Sequence, residues 1–147
     1  MITTEEIAVV VYQKLTESQD IQDLLKGGYV DYERTDYTTD GIIIIPHTIE
    51  GEASVRNGQV NVNIHVPDLI AKKGKNPTYR TNFPRLIELK KAVIDVLKSH
   101  YQAAEGWNWT IGLTNPPIKE PGQNEHFVSL ALEITVREHK SNNIQTD

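Results

Sequence analysis

Residues 42–45 are four isoleucines in a row, bracketed by Gly41 and Pro46 in an otherwise polar, acidic chain. A strand with one face in water alternates apolar and polar residues. An unbroken β-branched run puts apolar side chains on both faces, so both need cover. Ile43 and Ile45 point to one side, Ile42 and Ile44 to the other. Burying two such side chains is worth on the order of 3–6 kcal/mol. The sequence offers three covers for the second face: the tyrosine-rich residues 29–40, the proline-rich residues 116–122, or a neighbouring subunit.

The charge distribution bears on that choice. The net charge is −5, yet residues 1–40 carry three basic against nine acidic groups, and residues 67–101 carry eight basic against three acidic. Such runs are commonly solvated faces of a monomer, but their opposite signs also fit head-to-tail association between copies. Cysteine is absent, which excludes disulfides, thiolate zinc sites and a cysteine nucleophile. The N-terminal residues lack the basic leader and cleavage site of a signal peptide, and no apolar run approaches the ~20 residues of a membrane span. The expectation is a protein made in the cytoplasm, without a membrane partner.

Thr3-Thr4-Glu5-Glu6 forms a capping-box pattern, followed by the stripe Ile7, Val11 and Leu15 of a first helix. A short second helical turn, Ile21 to Lys26, is stopped by Gly27-Gly28. Residues 29–40 interleave tyrosine with charge and read as an irregular or edge segment. Asn57-Gly58 is the dipeptide of a type I′ hairpin turn. It sets Val55 against Val60, Ala53 against Val62, Gly51 against Ile64 and Ile49 against Val66, with Ser54–Asn61, Glu52–Asn63 and Glu50–His65 on the other side. Residues 67–83 read as a long mobile loop. After Asn82 and Phe83, Pro84 opens a helix with the stripe Leu86, Leu89, Val93, Val96, Leu97 and His100, and with Ile87, Ile94 and Tyr101 beside it. Trp107, Trp109, Ile111 and Leu113 alternate in one strand, and Val128, Leu130, Leu132, Ile134 and Val136 in another. The prolines and glycine of residues 114–126 predict a projecting loop without regular structure. The sum is one α+β domain over residues 1–138, with two main helices on one face of a mainly antiparallel sheet, and a polar tail at 139–147.

Candidate chemistry is sparse. His47, His65, His100, His126 and His139 share no metal-ligand spacing, and His65 opposite Glu50 is a cross-strand pair of the polar face. Glycines form no phosphate-cradling motif. Asp31, Glu33, Asp36 and Asp40 make an acidic string without the glycine and terminal glutamate of an EF-hand loop. Lys72, Lys73, Lys75 and Arg80, with Tyr79, read as a flexible basic loop and not as a nucleic-acid site, because the chain as a whole is acidic. The expectation is a protein without catalytic step, cofactor or metal.

The stretch GGYVDYERTDYTTDGIIIIPHTIEGE, continued by GQVNVNIHVPDL and FPRLIELKKAVIDVLKSHY, resembles small morphogenesis proteins of tailed phages and prophages. The family it is most similar to is the tail terminator, or tail-completion, group, with the likeness spanning roughly residues 5–138. The resemblance implies a non-enzymatic virion assembly protein whose copies form a homo-oligomeric ring. Such a ring caps the tail tube and joins it to the head, so the partners are tube and head–tail connector proteins, with no direct sequence-specific nucleic-acid binding. Localisation would be cytoplasmic during synthesis and then in the virion. The candidate subunit interface is Ile42 and Ile44 with Lys72, Lys73, Lys75 and Arg80. The competing expectation is a monomeric protein-binding adaptor or regulator.

Overall fold

A computed structural model describes residues 2–49, 55–98, 101–102 and 106–137. The Thr3 hydroxyl accepts from the Glu6 N–H at 3.1 Å while the Glu6 carboxylate accepts from the Thr3 N–H at 3.1 Å. This capping box satisfies two N-terminal donors and opens α1 (Thr4–Glu17). Ser18 caps α2 (Gln19–Leu25), and Gly27, at φ +86°, turns the chain out of it. Asn82 caps α3 (Phe83–Leu97), accepting from the Arg85 N–H at 3.3 Å, with Pro84 in the first turn.

Among the described residues the main sheet has seven strands. Its spatial order is β1 (Tyr29–Asp31), β2 (Gly41–Pro46), β3 (Val55–Pro67), β9 (Glu125–Arg137), β7 (Trp107–Thr114) and β6 (Tyr101–Gln102), with β8 (Ile118–Lys119) against the start of β9. Only the β1–β2 pairing is parallel. A separate two-stranded ribbon joins β4 (Leu69–Lys72) to β5 (Thr78–Arg80). Alternate residues of the large sheet, including Val60, Val62 and Ile64 and the even-numbered residues of β9 from Val128 to Val136, face the helices. Ile7, Val11 and Leu15 of α1 and Leu86, Leu89, Val93 and Leu97 of α3 close that core. The Trp109 indole N–H donates to the Leu97 carbonyl at 2.7 Å, pinning the end of α3 to β7. The protein is thus an α+β fold with its helices on one face of a mainly antiparallel sheet.

The isoleucine run finds both covers inside the chain. Ile42 and Ile44 are fully buried beneath the helices, Ile43 is buried on the opposite face, and Ile45 is 36% exposed at the far end. The helices lie over the Ile42 and Ile44 side, so these two residues are core residues and not the subunit interface expected of them. On the other side, residues 32–40 fold back so that the Arg34 guanidinium lies against Gly41, where a Cβ would collide with it.

The Asn57-Gly58 hairpin does not form. Neither residue has a positive φ, which a type I′ turn requires of both. Instead β3 runs straight through the dipeptide, with Asn57 opposite Thr135 and Gly58 opposite Ile134. The β2–β3 hairpin pairs Ile42 with Ile64, Ile44 with Val62 and Pro46 with Val60, and His47 N–H donates to the Gln59 carbonyl at 2.8 Å. Val55 therefore faces Arg137 rather than Val60. Gly58 serves close packing, because a Cβ there would crowd the Ile49 and Thr4 side chains. The residues expected at 50–54 in that hairpin, together with His100 and the tail at 139–147, lie outside the described residues. The third helix ends at Leu97, and Tyr101 belongs to β6.

Truncation separates the two faces of the run. Ile44→Ala leaves a cavity in a closed core and is expected to cost about 2–5 kcal/mol. Ile45→Ala is expected to cost about 1 kcal/mol or less. Urea denaturation of both variants reads the difference, and equal costs would contradict the facing described above.

Candidate assembly surface

Residues 67–83, expected to be a mobile loop, form the β4–β5 ribbon instead. Leu69 pairs with Arg80, Ile70 with Tyr79 and Lys72 with Thr78, with a register shift between Ile70 and Lys72. Gly74, at φ +127°, lies in the turn, where its missing Cβ permits the left-handed backbone. Both legs of the ribbon are fastened. At one leg the buried Asp68 carboxylate meets His126 Nδ1 at 2.7 Å and the Asp68 N–H donates to the Asn124 carbonyl at 2.9 Å. At the other, Asn82 begins α3, which Arg85 ties to the rest of the fold through Asp40 at 2.7 Å and the Leu24 carbonyl, with Glu88 on the same helix steadying the guanidinium at 2.6 Å.

Beyond those roots every residue from Leu69 to Arg80 is exposed. Directly opposed strand residues share a face, so Ile70 and Tyr79 present one apolar face at 54% and 40% exposure. Strand alternation puts Arg80 and Thr78, with Lys72 opposite, on the other face. Lys72, Lys73, Lys75 and Arg80 make no ion pair with the described residues, whereas Arg85 and Lys98 of α3 are paired with acidic neighbours. Of the basic residues in 67–101, Arg85 and Lys98 are paired, Lys90 hydrogen-bonds Thr114 Oγ1 at 3.2 Å, and the four on the ribbon make no ion pair with the described residues. The ribbon's open strands, with Ile70 and Tyr79 exposed on one face, offer a surface to another chain, while its lysines guard against unspecific edge-to-edge pairing.

The opposite sign sits on α1, α2 and the segment after β1. Glu5, Glu6, Glu17, Asp20, Asp23, Glu33 and Asp36 are exposed there. The same part of the chain carries a stacked aromatic pair, Tyr12 and Tyr32, with ring centroids 5.3 Å apart. Three members of the acidic string bond to separate partners. Asp40 pairs with Arg85, Asp36 accepts from Thr38 at 2.6 and 2.9 Å, and Asp31 accepts from the Tyr32 N–H at 2.7 Å.

The strongest buried polar group is one the sequence reading did not single out. Arg34 donates to Glu125 Oε1 at 2.6 Å, to the Thr39 carbonyl at 2.6 Å and to the Tyr29 hydroxyl at 3.1 Å. Its guanidinium also lies over the Tyr29 and Tyr37 rings, 5.5 and 5.4 Å from their centroids. Glu125 Oε2 meets His65 Nδ1 at 2.9 Å, and His65 stacks on Phe127. His65 thus has Glu125 as its carboxylate partner, on the strand beside it. His65, Glu120 and Glu125 place donor atoms within 4.8 Å of one another, a metal-like spacing. Both Glu125 oxygens are already bonded, however, and the guanidinium occupies the cationic position. Two clefts indent the described surface, of about 870 and 180 Å³, and neither is lined by His65 or Glu125. The arrangement clamps residues 32–40 over the second face of the sheet.

Loop expectations change at residues 114–126 as well. Ile118 and Lys119 pair with Phe127 and His126 as β8, and Gly122, at φ +76°, turns the chain back to β9. A hint of the clamp did exist in the sequence, since Arg34 is the one basic residue between Lys26 and Arg56. No protein-family model matches the chain, and no curated protein matches it.

Burial alone would raise the Glu125 pKa, but the hydrogen bonds from His65 and Arg34, with their charges, outweigh it and hold the carboxyl below its ordinary value. A depressed carboxyl contributes stability that is complete above its unfolded-state pKa and is lost as pH falls through the folded one. Acid unfolding is therefore expected to steepen below the ordinary carboxylate range of about pH 4–5. Glu125→Gln is expected to flatten that limb and, at neutral pH, to cost about 3–5 kcal/mol by leaving Arg34 buried without its counter-ion. Stability measured by denaturant between pH 3 and 7 tests both, and an unchanged acid limb in the variant would contradict the clamp.

Proposed function

We propose that this chain is a structural subunit of tailed-phage or prophage assembly, one copy of a tail terminator ring that caps the tail tube and joins it to the head. The observation that carries this reading is the rooted, exposed β4–β5 ribbon, whose cations make no ion pair among the described residues and whose Ile70 and Tyr79 are open. The α+β layout supports it, because the family that the sequence resembles has helices against one side of a sheet. Sign separation between the ribbon and the α1 region supports head-to-tail contacts, which close into rings when the rotation per copy divides a full turn. No chemical step is assigned to the protein. Its partners in this reading are further copies of itself, the tube subunit and a connector protein.

Native mass spectrometry and negative-stain microscopy of concentrated protein are expected to show a closed ring of several copies with a central hole. Added to polymerising tube subunits from the same element, the protein is expected to shorten the tubes. Replacing residues 70–79 by a short glycine–serine turn is expected to leave a folded monomer. A strict monomer with its ribbon intact, at high concentration and in the presence of tubes, would sink the ring reading in favour of the monomeric adaptor.

A further inference from the structure

We infer that the β4–β5 ribbon of one copy docks on the Tyr12–Tyr32 patch of the next, a junction between two different surfaces of the same chain. The inference rests on the assembly reading above and gives it a specific contact. The receiving patch is built on α1. Glu5, Val9 and Tyr12 fall on one helix stripe by their spacing of four and three residues, away from the buried stripe of Ile7, Val11 and Leu15. Tyr32 stacks on Tyr12 from the segment after β1 and brings Glu33 beside it. Val9 is 45% exposed and Tyr32 40%, and the carboxylates one helical turn before Val9 and next to Tyr32 in the chain, Glu5 and Glu33, are exposed as well.

The ribbon is the complement of that patch in both respects. Its apolar pair, Ile70 and Tyr79, suits the Val9 and Tyr32 centre, while Lys73, just past the end of β4, and the long side chains of Lys72 and Arg80, reaching round the ribbon's edges from its other face, suit the carboxylates at the rim. Aromatic and aliphatic anchors ringed by charge are the usual anatomy of a specific contact, with the anchors giving affinity and the charges giving orientation and register. Two ribbons would repel each other, as would two patches. Like charge therefore disfavours a symmetric dimer through either surface and leaves the head-to-tail pairing.

A charge-swap experiment tests the junction. One variant carries Lys72→Glu, Lys73→Glu and Arg80→Glu on the ribbon; the other carries Glu5→Lys and Glu33→Lys on the patch. Thermal melts first establish that both fold. In sedimentation velocity each variant alone is expected to associate at least about tenfold more weakly than the native chain. Mixed one to one, they restore assembly, because each reversed ribbon then meets a reversed patch and each native ribbon a native patch. Ile70→Ser, on a residue outside the core, is expected to weaken association without moving the melting temperature. Raising the salt weakens the native assembly and leaves its composition unchanged. Rings that persist in both single variants would overturn the junction while leaving the ring reading standing. So would a mixture that stays dissociated when each variant is folded. A native chain that never associates overturns both, and does so in the ring measurement before any variant is made.

Discussion

The antiparallel ladder between β3 and β9 is the constraint on which the rest of the structure depends. It runs unbroken from Val55–Arg137 to Pro67–Glu125, and because side chains alternate along a strand, one register fixes the facing of every residue in both strands. The residues paired with Val60, Val62 and Ile64 are Leu132, Leu130 and Val128, so the apolar sets coincide and the helices have one continuous surface to cover. Slipping the ladder by one residue would turn Asn61 and Asn63 into the core and Ile64 out of it. β2 adds to one side of the ladder and β7 to the other with the same parity, and so the isoleucine run becomes a central element with both faces occupied.

The ladder also explains why charged residues are found in so unlikely a place. Its last pair sets Glu125 beside Pro67, on the same face as His65, where the sheet needs cover and the chain has only the polar residues 32–40 to supply it. A buried carboxylate without a partner would cost several kcal/mol, and a buried arginine likewise. Together, with the Tyr29 hydroxyl and the Thr39 carbonyl taking the remaining guanidinium donors that face them, they let a polar segment lie on a sheet as cover. The clamp is a specificity device more than a source of net stability, since it holds one segment in one position and tolerates no partial loss.

What was legible in the sequence follows from the range of each interaction. The capping box of Thr3 and Glu6, the stripe of α1, the Leu86, Leu89, Val93 and Leu97 part of the α3 stripe and the alternation of β9 are decided within a few residues and appear as read, while the helix ends at Leu97, short of Tyr101. The Asn57-Gly58 dipeptide was misread because its turn propensity is local, while the strand that overrides it lies on the other side of α3. A partner already aligned over the whole length of β3 outweighs a two-residue preference. Glu50 lies outside the described residues, while His65 sits between Gly41 and Phe127 and meets Glu125, 60 residues away. Arg34 and Glu125 are separated by 91 residues and Asp68 and His126 by 58. No periodicity announces such pairs. The candidate surface was half legible: Lys72, Lys73, Lys75 and Arg80 were picked by composition and are exposed, but Ile42 and Ile44 were picked by demanding cover from outside when the helices of the same chain provide it.

That misassignment moves the argument for assembly to different residues. If the isoleucines had needed a neighbour, association would have been obligatory and the free chain incompletely folded. With both faces of the run covered internally, Ile42, Ile43 and Ile44 leave no apolar surface for a neighbour to complete, and the ribbon and the tyrosine patch on α1 become the surfaces of interest. Contacts of this kind are charged, small in apolar area and fastened to a rigid body at Asp68–His126 and Asn82. In the proposed assembly such a chain would stay free during synthesis and join without refolding, the pairing set by charge and the strength by a few exposed side chains on a ribbon held at both legs.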